Sequence, residues 1–144
     1  MQKNNHVIDF HSHAGNWGRY TMDDNIDSYV HVMDKAGVDI ACINCIFHGD
    51  SRIGNDIAET FVSKYPSRFR HVAYVNPHYP ENVIEELERC FDQIGSVFIK
   101  IYPDYFRKAN DDPAYFPAYE FANDRKLAIM THAKFPFDPP ELTI

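Results

Sequence analysis

Five short apolar runs, separated by segments in which apolar residues recur at helical spacing, limit what this chain can become. The runs cover residues 7–13, 39–46, 69–75, 97–102 and 127–131. Between them lie Ile26, Tyr29, Val30, Val32 and Met33; then Ile57, Ala58, Phe61 and Val62; then Val83, Ile84, Leu87 and Phe91; and last Phe116, Tyr119, Phe121 and Ala122. An apolar run reads as a strand and an i, i+3, i+4 recurrence as a helix. Their strict alternation predicts an α/β fold with a parallel sheet, because parallel neighbours need a crossover helix between them. The run at residues 39–46 is apolar almost throughout, as expected of a strand buried on both faces. Thr21 or Asp23 is the expected cap of the first helix, and Gly37 and Gly95 are the expected stops of the first and third. Pro80 and Pro113 suit helix starts. Residues 103–112 and the proline-rich stretch after His132 read as loops.

The strand ends carry the chemistry. His11 and His13 close the first run, and alternation along a strand would point both the same way, about 6.5 Å apart at Cα. Two such imidazoles can share one metal ion, and zinc takes imidazole nitrogen at about 2.0–2.1 Å. In a chain with eight histidines the same spacing also arises by chance. Ala14 and Gly15 follow as a small-residue turn. His48, His78 and His132 also fall at or just past strand ends, and Lys100 stands alone among apolar residues in the fourth run. A buried lysine is costly unless it is paired, modified or reaching a pocket, so Lys100 is a pocket cation, a carboxylate partner or, once carbamylated, a metal-bridging group. The loop Asn16-Trp17-Gly18-Arg19-Tyr20 is a candidate pocket wall or anion site. Functional groups at strand C-termini suit a closed (β/α)8 barrel and an open parallel sheet alike.

Composition removes several function classes. A net charge of -7 argues against a nucleic-acid partner, which would need Lys and Arg to neutralise phosphates. The polar start Met1-Gln2-Lys3-Asn4-Asn5-His6 has no apolar core of a signal peptide and no stretch suits a membrane span, so a cytoplasmic enzyme with a small-molecule substrate is expected. No Gly-x-Gly-x-x-Gly or phosphate-binding Gly-Lys-Ser/Thr loop follows a strand, which sets nucleotide binding aside. Three cysteines cannot all pair. Cys42 and Cys45, three apart on a strand, point to opposite faces and are expected to be reduced core residues, as is Cys90.

Several motifs resemble the amidohydrolase superfamily, and more narrowly the amidohydrolase-related branch that includes aminocarboxymuconate-semialdehyde-decarboxylase-like enzymes. They are Ile8-Asp9-Phe10-His11-Ser12-His13, Tyr74-Val75-Asn76-Pro77 ahead of Glu85-Glu86-Leu87-Glu88-Arg89-Cys90, Phe98-Ile99-Lys100-Ile101-Tyr102-Pro103, and Leu127-Ala128-Ile129-Met130-Thr131-His132. The resemblance spans essentially residues 1–144 and implies the first five strands and four helices of a (β/α)8 TIM barrel, truncated. It implies one divalent metal ion, usually zinc, held by His11, His13 and His132, with His132 and Lys100 as catalytic groups. Lys100 stands where other branches carry a carbamylated lysine. The family's strand-six histidine and strand-eight aspartate have no counterpart here, since a complete barrel takes about 250 residues. The expected activity is hydrolysis of a small amide, ester or lactone by metal-activated water. Metal-dependent decarboxylation and an inert fragment are the alternatives, and self-association or a poor catalyst is expected if the ring is incomplete.

Overall fold

A computed structural model describes residues 6–16 and 25–132. Strand β1 (Ile8–His13) pairs in parallel with β2 (Ile40–Asn44), and β2 with β3 (Phe69–His71). A second parallel set joins β4 (Ala73–Tyr74), β5 (Ile99–Ile101) and β6 (Ile129–Thr131). The third apolar run, expected as one strand, is therefore divided between two sheets. Its first part bonds to β2, ending with Val72 N–H to the Ile43 carbonyl at 2.9 Å, whereas Ala73 N–H turns to the Phe98 carbonyl at 3.0 Å. The chain itself is continuous across Val72, so the sheets form one parallel wall in sequence order.

Helices cover the outer side of this wall. Helix α1 (Ile26–Ala36) buries Met33 and leaves Val32, which lies off the Ile26, Tyr29, Val30 and Met33 stripe, 62% exposed. Its cap is Asn25, whose side chain accepts from the N–H groups of Asp27 and Ser28. Thr21 and Asp23, the caps expected from sequence, lie outside the described residues, as do most of the 16–20 loop and the proline-rich stretch after His132. Helix α2 (Ser51–Lys64) starts at Asp50, which accepts from Arg52 N–H. It passes so close to the end of β2 that a Cβ on Gly54 would stand 2.3 Å from the Cys45 carbonyl oxygen. Helix α3 (Val83–Arg89) is entered through a tight turn at Pro80–Asn82 and left through a wide turn at Cys90–Ile94, and Gly95 ends it at φ 86°.

The stretch at 103–112 was expected to be loop throughout, yet α4 (Pro103–Phe106) forms there with its proline in the first turn, where the missing N–H costs nothing. Helix α5 (Phe116–Arg125) follows a turn at Pro113–Tyr115 capped by Asp112. Among the described residues no helix is long and apolar enough to cross a membrane.

Side-chain alternation sorts the wall into two faces. Ala41, Ile43 and Cys45 pack with Met33, Ala58, Phe61 and Phe69 under α1 and α2. Ala73, Val75, Ile99 and Ile101 pack with Leu87, Tyr115 and Phe121 under α3 and α5. The opposite, concave face carries Cys42, Val72 and Phe98 in one cluster and Ile46, Tyr74 and Tyr102 in another, nearer the strand C-termini. All three cysteines are free and buried, as their spacing predicted.

Candidate metal centre

The histidine pair reaches the concave face through an irregular strand. Asp9 pairs with Ala41 and Ser12 with Ile43, so β1 fits one more residue than β2 into the same length. Such a bulge re-aims side chains next to it. Asp9 and Ser12 face the helix side, joined by a 2.6 Å hydrogen bond from the serine hydroxyl to the carboxylate. Phe10, His11 and His13 face the concavity, where Phe10 stacks on Phe98 with ring centroids 4.4 Å apart. Gly15, at φ 91°, then turns the chain away, with Cys45 Sγ 2.8 Å from where a Cβ would be.

Tyr102, one residue past β5, occupies the middle of the group. Its hydroxyl lies 3.3 Å from His11 Nε2 and 3.3 Å from His13 Nε2. The His11 and His13 rings are 4.7 Å apart, edge to face. His132 stacks on the Tyr102 ring at 5.0 Å, its N–H bonded to the Ile101 carbonyl. Lys100 is 1% exposed, and its Nζ sits 4.6 Å from the centre of the Tyr102 ring. Phe98, Lys100 and Tyr102 alternate with Ile99 and Ile101, so the lysine faces the concavity with the histidines.

The structure brings His11 and His13 together, and Tyr102 packs against both His13 and His132, which is close enough to be felt by both imidazoles. Among the described residues no three His, Cys, Asp or Glu side chains form a group able to hold a metal. His78 is apart, its ring edge-on to Phe106 at 5.5 Å, and His48 uses its carbonyl to accept from the Tyr74 hydroxyl. Tyr102 was not singled out from sequence as a functional residue. Its position two residues after Lys100, on the same strand face, was the available signal.

Electrostatics keep the imidazoles neutral, the form that binds metals. Burial, followed by the nearby His11, lowers His13 to about 4. Burial and Lys100 lower both His11 and His132. Burial lowers Lys100 to about 8, and no carboxylate among the described residues pairs with it.

Asn44 fixes the His13 tautomer. Its amide nitrogen donates to the Ser12 carbonyl at 3.1 Å, which leaves its oxygen to accept from His13 Nδ1, also at 3.1 Å. With the proton on Nδ1, the Nε2 lone pair faces the Tyr102 hydroxyl. This arrangement, a ligand imidazole anchored through its other nitrogen, fits a divalent ion at the pair. Asn44→Leu is expected to weaken metal affinity by about 10–100-fold. Competitive titration of zinc or manganese checks this; an unchanged affinity would show that Asn44 does not orient the ligand.

The amidohydrolase sequence profile matches residues 8–143. The chain belongs to the amidohydrolase family. Among curated amidohydrolase relatives, a 2-amino-3-carboxymuconate-6-semialdehyde decarboxylase of Dictyostelium discoideum is 32% identical over 78 residues, 54% of this chain and 22% of that protein. A 5-carboxyvanillate decarboxylase from Novosphingobium aromaticivorans, solved with bound manganese, superimposes with a TM-score of 0.77 at 15% identity over 90% of this chain and 51% of its own. For a 2,6-dihydroxybenzoate decarboxylase from Rhizobium the TM-score is 0.73 at 17% identity, over 93% and 51%. A dihydroxybenzoic acid decarboxylase from Polaromonas, solved with manganese and 2-nitroresorcinol, gives 0.69 at 21% identity, over 94% and 52%. This amidohydrolase chain spans about half the length of these solved structures. The likeness in backbone bears out the α/β fold with parallel strands.

Proposed function

We propose that this chain carries the metal-binding part of a metal-dependent decarboxylase acting on a small unsaturated or aromatic carboxylic acid. The observation that carries the reading is that His11 Nε2 and His13 Nε2 lie on one side of the concavity, each 3.3 Å from the Tyr102 hydroxyl, with Asn44 bonded to the other nitrogen of His13. Hydrolysis was the first expectation from sequence. Decarboxylation, the alternative, is now favoured because the similar proteins named above are decarboxylases. The expectation of zinc widens in the same way to a divalent ion, since two of those structures contain manganese.

His11 and His13 would hold the ion. Bound there, it supplies Lewis-acid polarisation of a substrate oxygen. Lys100 gives the concavity a buried ammonium without a carboxylate of its own, suited to pairing with the carboxylate of an incoming acid. His132, stacked on Tyr102 on the same face and close enough to be felt by both imidazoles, is the third candidate ligand and would join them on the ion. In the reaction the bond to the carboxylate breaks, carbon dioxide leaves, and the electron pair left on carbon takes up a proton from an acid of the site.

The test loads the chain with manganese or zinc, measures stoichiometry, and follows carbon dioxide release from hydroxybenzoates and an aminocarboxymuconate semialdehyde. One equivalent of metal and metal-dependent release, both abolished in the His11→Ala/His13→Ala variant, are expected. Hydrolysis of esters or lactones with no release from any acid would restore the hydrolase reading. Failure of the chain to bind either metal would overturn both.

A further inference from the structure

We infer that Asp104 positions His132 for the ion, by accepting the N–H of whichever ring nitrogen does not face the metal. This rests on the proposed metal site, with His132 as its third ligand, and names a residue outside the motifs. A metal-bound imidazole almost always donates its other N–H to a carboxylate, a carbonyl or water. Asn44 fills that role for His13. The hydrogen bonds of His132 run through its backbone alone, from its N–H to the Ile101 carbonyl and from the Thr131 hydroxyl to its own carbonyl. Among the described residues its ring therefore has no such anchor.

The other half of the pair is equally unpartnered. Asp104 Oδ2 is buried and accepts no hydrogen bond. Buried carboxylate oxygens are nearly always bonded, so this one marks a donor that arrives with a bound state. Asp104 lies in the first turn of α4, between Tyr102 and Tyr105. Those two rings hold the His132 imidazole, Tyr102 stacked at 5.0 Å and Tyr105 edge-on at 5.5 Å. The negative charge of Asp104 reaches the imidazole, where it opposes burial and Lys100 in setting the pKa. A carboxylate in this place accepts the imidazole N–H and makes the opposite nitrogen a better metal donor. The buried Tyr115 hydroxyl, also without a partner and also sensing Asp104, is the competing donor.

The test is a double-mutant cycle on zinc affinity in the full chain, read by competitive titration. Asp104→Leu should bind zinc about 10–100-fold more weakly than the wild type. Asp104→Asn, whose amide oxygen still accepts, should recover most of the loss. In a His132→Ala background, Asp104→Leu should change the affinity by less than about twofold, because the two residues act as one unit. Nuclear magnetic resonance of the zinc-loaded wild type should show a slowly exchanging ring N–H that disappears in His132→Ala and in Asp104→Leu. An Asp104→Leu loss of equal size with and without His132, or one that vanishes in Tyr115→Phe instead, would overturn the inference and leave the metal site standing. So would unchanged affinity in Asp104→Leu. If His132→Ala bound zinc as tightly as the wild type, His132 would not be a ligand and the inference would fall, with the His11 and His13 pair intact. No zinc binding by the wild type would sink the histidine site and this inference together.

Discussion

Asn55→Leu is expected to cost about 3–5 kcal/mol of folding stability, although it keeps the branched shape of a fully buried side chain. Asn55 lies on α2 and bonds to the backbone of the neighbouring strand in both senses. Its oxygen accepts from Tyr74 N–H at 2.8 Å, and its amide nitrogen donates to the Tyr74 carbonyl at 3.1 Å. The same nitrogen donates to Glu86 Oε1 at 2.8 Å. The amide thus replaces a strand at the point where β2 has ended and the wall divides. Leucine would leave a buried N–H, a buried carbonyl and part of a buried carboxylate without partners, at roughly 1–3 kcal/mol each. Glu86 retains its two-pronged contact with Arg89, which moderates the total. Denaturant unfolding of both proteins at one pH is the measurement. A loss below about 1 kcal/mol would mean that water or another group takes over these bonds, and the account of the wall's division would fail.

The second large effect is loss of stability in mild acid. His71 is 1% exposed, with Nδ1 2.6 Å from Ser96 Oγ and Nε2 3.0 Å from the Asn55 carbonyl. Burial is the main cause of its fall to about 4; the Asn55 bond opposes the shift and Arg89 adds to it. An unfolded chain protonates histidine near 6.5, so between about pH 6.5 and 4 the unfolded state binds more protons and folding weakens as pH falls. Across that window His71 alone accounts for roughly 3 kcal/mol, and His13, with a similar displacement, adds to the decline. Stability measured at about pH 7 and about pH 4.5 should drop steeply in the wild type and less in His71→Gln. Equal slopes in the two proteins would remove His71 as the cause.

Both residues show where sequence reading stops. The alternation of runs and periodic segments was legible because each run has to bury a face and each helix a stripe. His11, His13, Lys100 and His132 were legible because polar residues at the ends of apolar strands have few structural reasons to be there. Asn55 was not, since a single asparagine within a helical pattern looks the same whether it faces solvent or a strand. The division at Val72 was equally hidden: it depends on where β2 ends, not on the composition of residues 69–75. Tyr102 lay inside a quoted motif, yet an aromatic residue after a strand is usually core. Only the distances from its hydroxyl to two imidazoles set it apart.

The irregular strand before the histidines bears on how this stretch tolerates changes in length. His13 is registered against Asn44, and the extra residue of β1 is accommodated between Asp9 and Ser12. A chain lacking Phe10 would run from Asp9 to His13 in unbroken alternation, with the two histidines still on the concave face and Asp9 and Ser12 still under the helices. A deletion of Ser12 would instead place the two imidazoles on opposite faces. Insertions and deletions one or two residues apart are thus neutral to the pair in one case and ruinous in the other, and an alignment gap placed ahead of His11 carries no information about the loss of the site.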